Sequence, residues 1–201
     1  APLVAPYDPY ARVQGQPEDI LAPPSVAHIL GTDDAGKDVF SQLIYGARVS
    51  LLVGFTASFM TMVIGTTVGL VAGYFGGKVD NILMRIVDFL LVIPDLPLAL
   101  VIIAVWGRGL PKIIFVIAVL GWTYTARLVR SQTLTIKERQ YITRAKAVGA
   151  SNRRIIIRHI LPQVMPIIVA QSVLDISASI LAESSLSFLG LGDPTLVSWG
   201  N

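Results

Sequence analysis

Acidic side chains stand where an otherwise apolar chain would be expected to have none. Asp88 and Asp95 fall inside the apolar run from Ile82 to Trp106, and Asp175 and Glu183 inside the run from Val164 to Leu189. An ionisable group at membrane depth is costly unless paired or hydrated, so each must face protein or a water-filled path. Asp88 lies one helical turn from Arg85, which makes that arginine its expected ion-pair partner. Asp95 has no such neighbour, and with Asp175 and Glu183 it is a candidate for lining a polar pathway.

Two short motifs suggest other chemistry and fail on context. Gly31-Thr-Asp-Asp-Ala-Gly36-Lys37 matches the opening of a phosphate-binding loop, but Asp38 stands where Ser or Thr is required. Asp33 and Asp34 would repel phosphate, and no strand precedes the motif. Gly190-Leu191-Gly192-Asp193 has the form of a motif that supplies one carboxylate of a water-activating pair. Its partner would come from a Tyr-Asp pair, and the Tyr7-Asp8 pair lies in a polar, proline-rich stretch rather than in a span. No catalytic residue and no metal site is read from the chain.

The elements that must position these groups follow from composition. Of 201 residues, 53% are hydrophobic and 14% charged, against roughly 25% charged in soluble domains. That excess fits a polytopic membrane protein. Four spans are expected: Val49 to Phe75, Ile82 to Trp106, Leu110 to Leu128 and Val164 to Leu189. In the first, Gly65, Gly69 and Gly73 repeat every four residues and bare one face for close approach of another helix. Gly76, Gly77 and Asp80 read as a turn after it, with Lys78 and Arg85 nearby. In the second, Pro94 and Pro97 predict a kink. The absence of cysteine excludes disulfides and thiolate metal sites. No signal peptide is seen.

Residues 1–47 form a polar lead-in where Asp8, Glu18, Asp19, Asp33, Asp34 and Asp38 outnumber Arg12 and Lys37. Residues 48–201 form the transmembrane domain, interrupted by a basic loop from Arg127 to Pro162. That loop carries nine cations and a single acid, Glu138, so it belongs on the cytoplasmic side and the lead-in on the other. Charge concentrated in one loop speaks for topology, not for nucleic-acid binding. Within the loop, Ile142, Ala145, Val148 and Gly149 recur at helical spacing as a narrow small-residue stripe. Gly149 can end that helix in a left-handed C-cap, and Ser151 can cap a second short helix carrying Ile155, Ile156 and Ile157. Pro162 is expected to break the helix or mark the turn into the last span. Two short helices meeting at a right-angle bend suit a partner's groove, and a solvated cytoplasmic loop is the alternative.

The same residues resemble a known family. Ala145, Gly149, Leu161 and Pro162 match the loop of ABC-importer permeases whose signature opens Glu-Ala-Ala and closes Leu-Pro, although Thr143 and Arg144 replace its opening Glu and Ala. GTDDAGKDVFSQLIYGARVSL, LAESSLSFLGLG and SWGN resemble further segments of the dipeptide, oligopeptide and nickel permeases. The resemblance implies an all-α integral membrane bundle of the type I importer kind. It implies a coupling element of Tyr141, Ile142, Ala145, Val148, Gly149, Ala150, Ser151, Leu161 and Pro162 that docks on an ATPase.

Expected partners are a second permease, two ATPase subunits that hold ATP and Mg, an extracytoplasmic binding protein and membrane lipid. The expected location is the cytoplasmic membrane, crossed several times. The cargo implied is a di- or oligopeptide, or alternatively nickel or another small solute. The Gly-x-Gly-Asp motif leaves an intramembrane aspartyl protease as a distant alternative. Family members usually have one span before the lead-in and one after SWGN, so the chain is expected to be a fragment of a six-span permease.

Overall fold

Asp38 decides where the first long helix starts. Its carboxylate accepts the Ser41 amide at 2.7 Å, and its other oxygen lies 2.9 Å from Nδ1 of His28. Burial works against the Asp38 charge, but these hydrogen bonds outweigh it and hold the carboxyl below its ordinary value. Helix α1 therefore runs Val39–Phe75, and Val49, the expected start of the span, lies well inside it. The computed structural model describes residues 4–11 and 20–200. Arg12, Glu18 and Asp19 of the lead-in and Asn201 of the SWGN segment lie outside them.

Helix α1 is the hub, packing on both other long helices, and its small residues make that possible. Gly46, Ser50, Gly54, Ala57, Ser58, Thr61, Gly65, Gly69 and Gly73 are all buried, while Phe55, Phe59 and Phe75 are exposed. Small side chains turned inward and large apolar ones outward is the pattern of helices that pack in lipid. A Cβ on Gly54 would stand 2.7 Å from Ile180 of the last helix, and one on Gly65 would stand 2.6 Å from Thr125 of the helix Leu110–Lys137.

The second expected span is broken rather than kinked. Helix α2 (Gly77–Val92) and helix α3 (Asp95–Trp106) meet at 87° and reach spanning length only jointly. The cause is local. Ile93 precedes a proline and is pushed to an extended conformation (φ −85°, ψ 126°). Pro94 continues it (φ −61°, ψ 127°), and Pro97 is tolerated in the first turn of α3.

Helix α4 (Leu110–Lys137) continues through Trp122, Tyr124, Arg127 and Arg130, so the third helix outruns its expected end at Leu128. These cations are not loop charges. Asp80 lies within α2, not in a turn, and receives Arg130 through two hydrogen bonds at 2.5 and 2.6 Å. Asp88 pairs with Arg127, not with Arg85, and Lys137 Nζ donates to the Gly73 carbonyl at 2.9 Å. The three contacts climb α4 as a ladder and fix α1 and α2 against it. Asp80 is 8% exposed, whereas the Asp88 and Arg127 side chains are more than half exposed. In double-mutant cycles the Asp80–Arg130 pair should therefore show a coupling energy of about 2 kcal/mol, and the Asp88–Arg127 pair less than about 1 kcal/mol. Equal coupling energies for the two pairs would show that burial does not set their strength.

Beyond Lys137 lie α5 (Gln140–Ala147) and α6 (Asn152–Ile155), then a π-helical turn (Ile156–Ile160) leading into α7 (Leu161–Phe188). Pro162, expected from sequence to break the helix or mark a turn, does neither. Lacking an N–H, it cannot serve the Arg158 carbonyl, and the local ladder shifts instead. The Leu161 amide reaches back five residues to the Ile156 carbonyl, and Asn152–Phe188 continues as one 37-residue helix. With α1 and α4, this run is long and apolar enough to cross a membrane, giving three such helices among the described residues, or four counting α2 and α3 as one.

Candidate functional site

The bend between α5 and α6 is closed by main-chain hydrogen bonds. Gly149 adopts a left-handed conformation (φ +84°). Its amide donates to the Lys146 carbonyl at 3.0 Å, and the Ala150 amide donates to Ala145 at 3.0 Å. This pair of bonds is the Schellman pattern, which needs a residue at home with positive φ. Ser151 then caps α6, its side chain accepting the Arg154 amide. The elbow is thus rigid, although it is built from two short helices.

Its residues divide between anchor and surface. Ile142 and Ile155 are fully buried in the cluster that also holds Tyr74, Val129, Ile136 and Val164. Ala145 and Ala150 are half-buried, Val148 is 84% exposed, and a Cβ on Gly149 would meet nothing within 4 Å. The expected single stripe is therefore corrected. From Ile142 to Val148 is six residues, and at 3.6 residues per turn the side chain drifts by about 120°, away from the core. Ile155, Ile156 and Ile157 likewise fan from buried through half-buried to exposed. Leu161 is half-buried and Pro162 exposed.

Two tethers that the sequence did not announce hold the elbow. The Tyr74 hydroxyl, at the end of α1, donates to Asn152 Oδ1 at 2.7 Å, and Lys146 Nζ sits 5.2 Å from the Tyr74 ring centre. One aromatic thus touches both α5 and α6. On the other side, Gln163 of α7 donates to the Tyr141 hydroxyl and accepts from Arg139 Nη1 at 2.8 Å. The elbow is therefore joined to α1 and α7 through specific contacts.

The acidic candidates separate into two environments. Asp95, at the start of α3, and Asp175, on α7, line one cavity of about 370 Å³ with Thr61, Gly121, Ser179 and Ser185. Asp175 accepts from Gln171 Nε2 at 2.9 Å and from Thr125 Oγ1 at 3.3 Å. Glu183 is not in that lining. It is 1% exposed and accepts Ser50 Oγ at 3.2 Å and Ser187 Oγ at 2.7 Å, while Ser50 also accepts the Trp199 amide. This network ties α7 to α1 and to the segment after α7, so Glu183 serves packing where pathway lining was expected.

Both rival motifs resolve into local turns. Asp33 Oδ1 accepts the Ala35 and Lys37 amides at 2.9 and 2.8 Å, consuming the donors that a phosphate loop would offer. Burial opposes its charge, but those amides and Gln42 prevail and hold its pKa low. Asp193 lies beyond the end of α7 and accepts the Thr195 amide and hydroxyl, while Asp8 caps the Tyr10 amide. Each carboxylate serves its own turn, which is not the arrangement of a catalytic pair.

Residues 65–199 match the family described as binding-protein-dependent transport system inner membrane component. The chain is 42% identical over 200 residues to a dipeptide transport system permease protein of Bacillus subtilis (strain 168), covering 98% of this chain and 62% of that protein. It is 43% identical to a glutathione transport system permease protein of Pectobacterium atrosepticum, over 88% of this chain and 59% of that protein. An oligopeptide transport system permease protein of Bacillus subtilis is 37% identical over the whole chain and 65% of its own length. The chain thus spans about three fifths of the length of these curated relatives.

Proposed function

The chain belongs to the family of binding-protein-dependent transport system inner membrane components, and from that premise we propose that it is the translocating part of an ATP-driven importer of di- or oligopeptides. The observation that carries this reading is the rigid α5–α6 elbow, exposed at Val148 and Gly149 and tied through Tyr74 and Gln163 to α1 and α7. A passive loop would have no use for such tethering. A partner that closes and opens on ATP hydrolysis could move the bundle through it.

ATP and Mg²⁺ are assigned to two ATPase subunits docked on this elbow. A second permease completes the passage, and a binding protein on the outer side of the cytoplasmic membrane delivers the cargo. The relatives named for dipeptides, oligopeptides and glutathione favour peptide cargo over nickel. The test is uptake by the assembled complex in proteoliposomes, with radiolabelled Ala-Ala and with Ni²⁺ as separate cargoes. Ala-Ala uptake dependent on ATP and on the binding protein is the expected result. Uptake of Ni²⁺ alone would overturn the peptide reading.

Orientation is checked separately. The sequence contains no cysteine, so Asp34→Cys and Arg153→Cys each introduce one thiol into the chain. An impermeant maleimide applied to intact cells should label only the first, because the cationic elbow stays inside. Labelling of both would sink the assigned topology.

A further inference from the structure

The cavity among α1, α3, α4 and α7 has a chemistry that packing does not require. Among the described residues its ionisable lining groups are Asp95 and Asp175, and no cation lines it. Each Asp175 oxygen is held by a single donor, Gln171 or Thr125, which orients the carboxylate and leaves lone pairs free. Among the described residues Asp95 makes no ion pair or hydrogen bond through its side chain. Ser179, one turn along α7 from Asp175, is only 5% exposed, lines the cavity, and has no hydrogen-bond partner for its hydroxyl among the described residues. Asp95 is exposed and Asp175 half-buried, so it is the buried, unpaired Ser179 hydroxyl, facing the same space as two under-used carboxylates, that marks a place for a ligand that donates hydrogen bonds.

The donor is a cation, and its type follows from the number of acceptors. A divalent metal seeks about six or more oxygen ligands, or three or four side chains of suitable kind. No group of three metal-binding side chains occurs among the described residues. An ammonium group presents three N–H donors, which suits two carboxylates and one hydroxyl. An unmodified peptide carries such a group at its N-terminus, with a pKa of about 7.7–8.0. The remaining wall, including Leu96, Ala99, Ile117 and Leu186, is apolar and suits the side chain of a first residue. We propose that this cavity holds the N-terminal ammonium of the peptide in transit, between Asp95, Asp175 and Ser179. The proposal rests on the peptide-import reading above.

The chain's lack of cysteine supplies a direct test. Ser179→Cys is introduced in the assembled complex with partner cysteines removed, and its rate of modification is compared for two reagents. These are 2-aminoethyl methanethiosulfonate, a primary ammonium, and the anionic 2-sulfonatoethyl analogue. The ammonium reagent should react faster by at least about tenfold, the scale of counter-ion enrichment in a site lined by one sign of charge. Asp95→Asn with Asp175→Asn should erase that preference. In proteoliposomes Asp95→Asn should lower Ala-Ala uptake about tenfold, with partial recovery in Asp95→Glu.

Equal rates for the two reagents, or wild-type uptake in Asp95→Asn, would overturn the ammonium site alone. A wild-type complex that takes up no Ala-Ala would instead overturn the peptide-import reading. Should the Asn variants fail to assemble, the reagent preference measured with both aspartates intact still decides the question.

Discussion

Gly149→Val is expected to leave the subunit in the membrane while abolishing binding-protein-stimulated ATP hydrolysis and uptake. The reason lies in backbone conformation, since nothing within 4 Å would collide with a Cβ at this position. Residue 149 must hold φ near +84° for the amides of Gly149 and Ala150 to reach Lys146 and Ala145. A left-handed conformation costs an ordinary L-residue about 1–2 kcal/mol, and a β-branched residue suffers most. A cost of about 1.4 kcal/mol shifts the population of the bent form by tenfold. Valine would open the turn and swing α6 away from α5, misplacing the surface presented to an ATPase.

A graded series separates this account from a simple contact effect. Asparagine tolerates the left-handed region, so Gly149→Asn should retain most activity and Gly149→Ala an intermediate share. Charge reversal at Arg153 and Arg154, both exposed, should slow association more than it weakens the complex. The measurement is stimulated ATP hydrolysis with parallel uptake by the reconstituted complex. Equal loss in the Asn and Val variants would point to the bare surface of Gly149 as the cause. Unchanged activity in Gly149→Val would remove the elbow from the coupling mechanism altogether.

Gly69→Leu should prevent the bundle from forming at all. A Cβ at this site would stand 2.6 Å from the Ala126 carbonyl oxygen and 2.7 Å from Val129 Cβ, and a main-chain carbonyl in mid-helix cannot step aside. Overpacking a core commonly costs about 1–3 kcal/mol, and here a whole isobutyl group would have to separate α1 from α4. Gly69→Ala should already lower the melting temperature. Gly69→Leu should give no monodisperse protein in detergent. Val63→Leu, on the half-exposed outer face of the same helix, should behave as wild type. Trimming Val129 to alanine should not rescue Gly69→Leu, because the nearest obstacle is backbone. Normal assembly of Gly69→Leu would mean that the close α1–α4 approach is not needed.

The sequence by itself determined what depends on neighbours along the chain. The helix cap at Ser151, the left-handed turn at Gly149, the proline disruption near Pro94 and the bare glycine face of α1 are all encoded within a few residues. Each was therefore legible before any fold was known. The glycine stripe could even have been followed further back, since Gly46, Ser50, Gly54, Ala57, Ser58 and Thr61 continue the same spacing and are buried.

Only the tertiary structure decided which groups meet across helices. Asp88 prefers Arg127 on α4 to Arg85 one turn away, because packing of α2 against α4 brings the distant arginine closer. The Asp80–Arg130 pair arises in the same way, from residues fifty positions apart. Asp95 and Asp175 share a cavity while Glu183, two turns further along α7, faces Ser50 of α1 instead. A helix rotates each successive side chain by about 100°, so which acid faces a passage and which faces a neighbour depends on where the other helices lie. Helical spacing fixes relative direction along one element, and only the arrangement of several elements turns that direction into a contact.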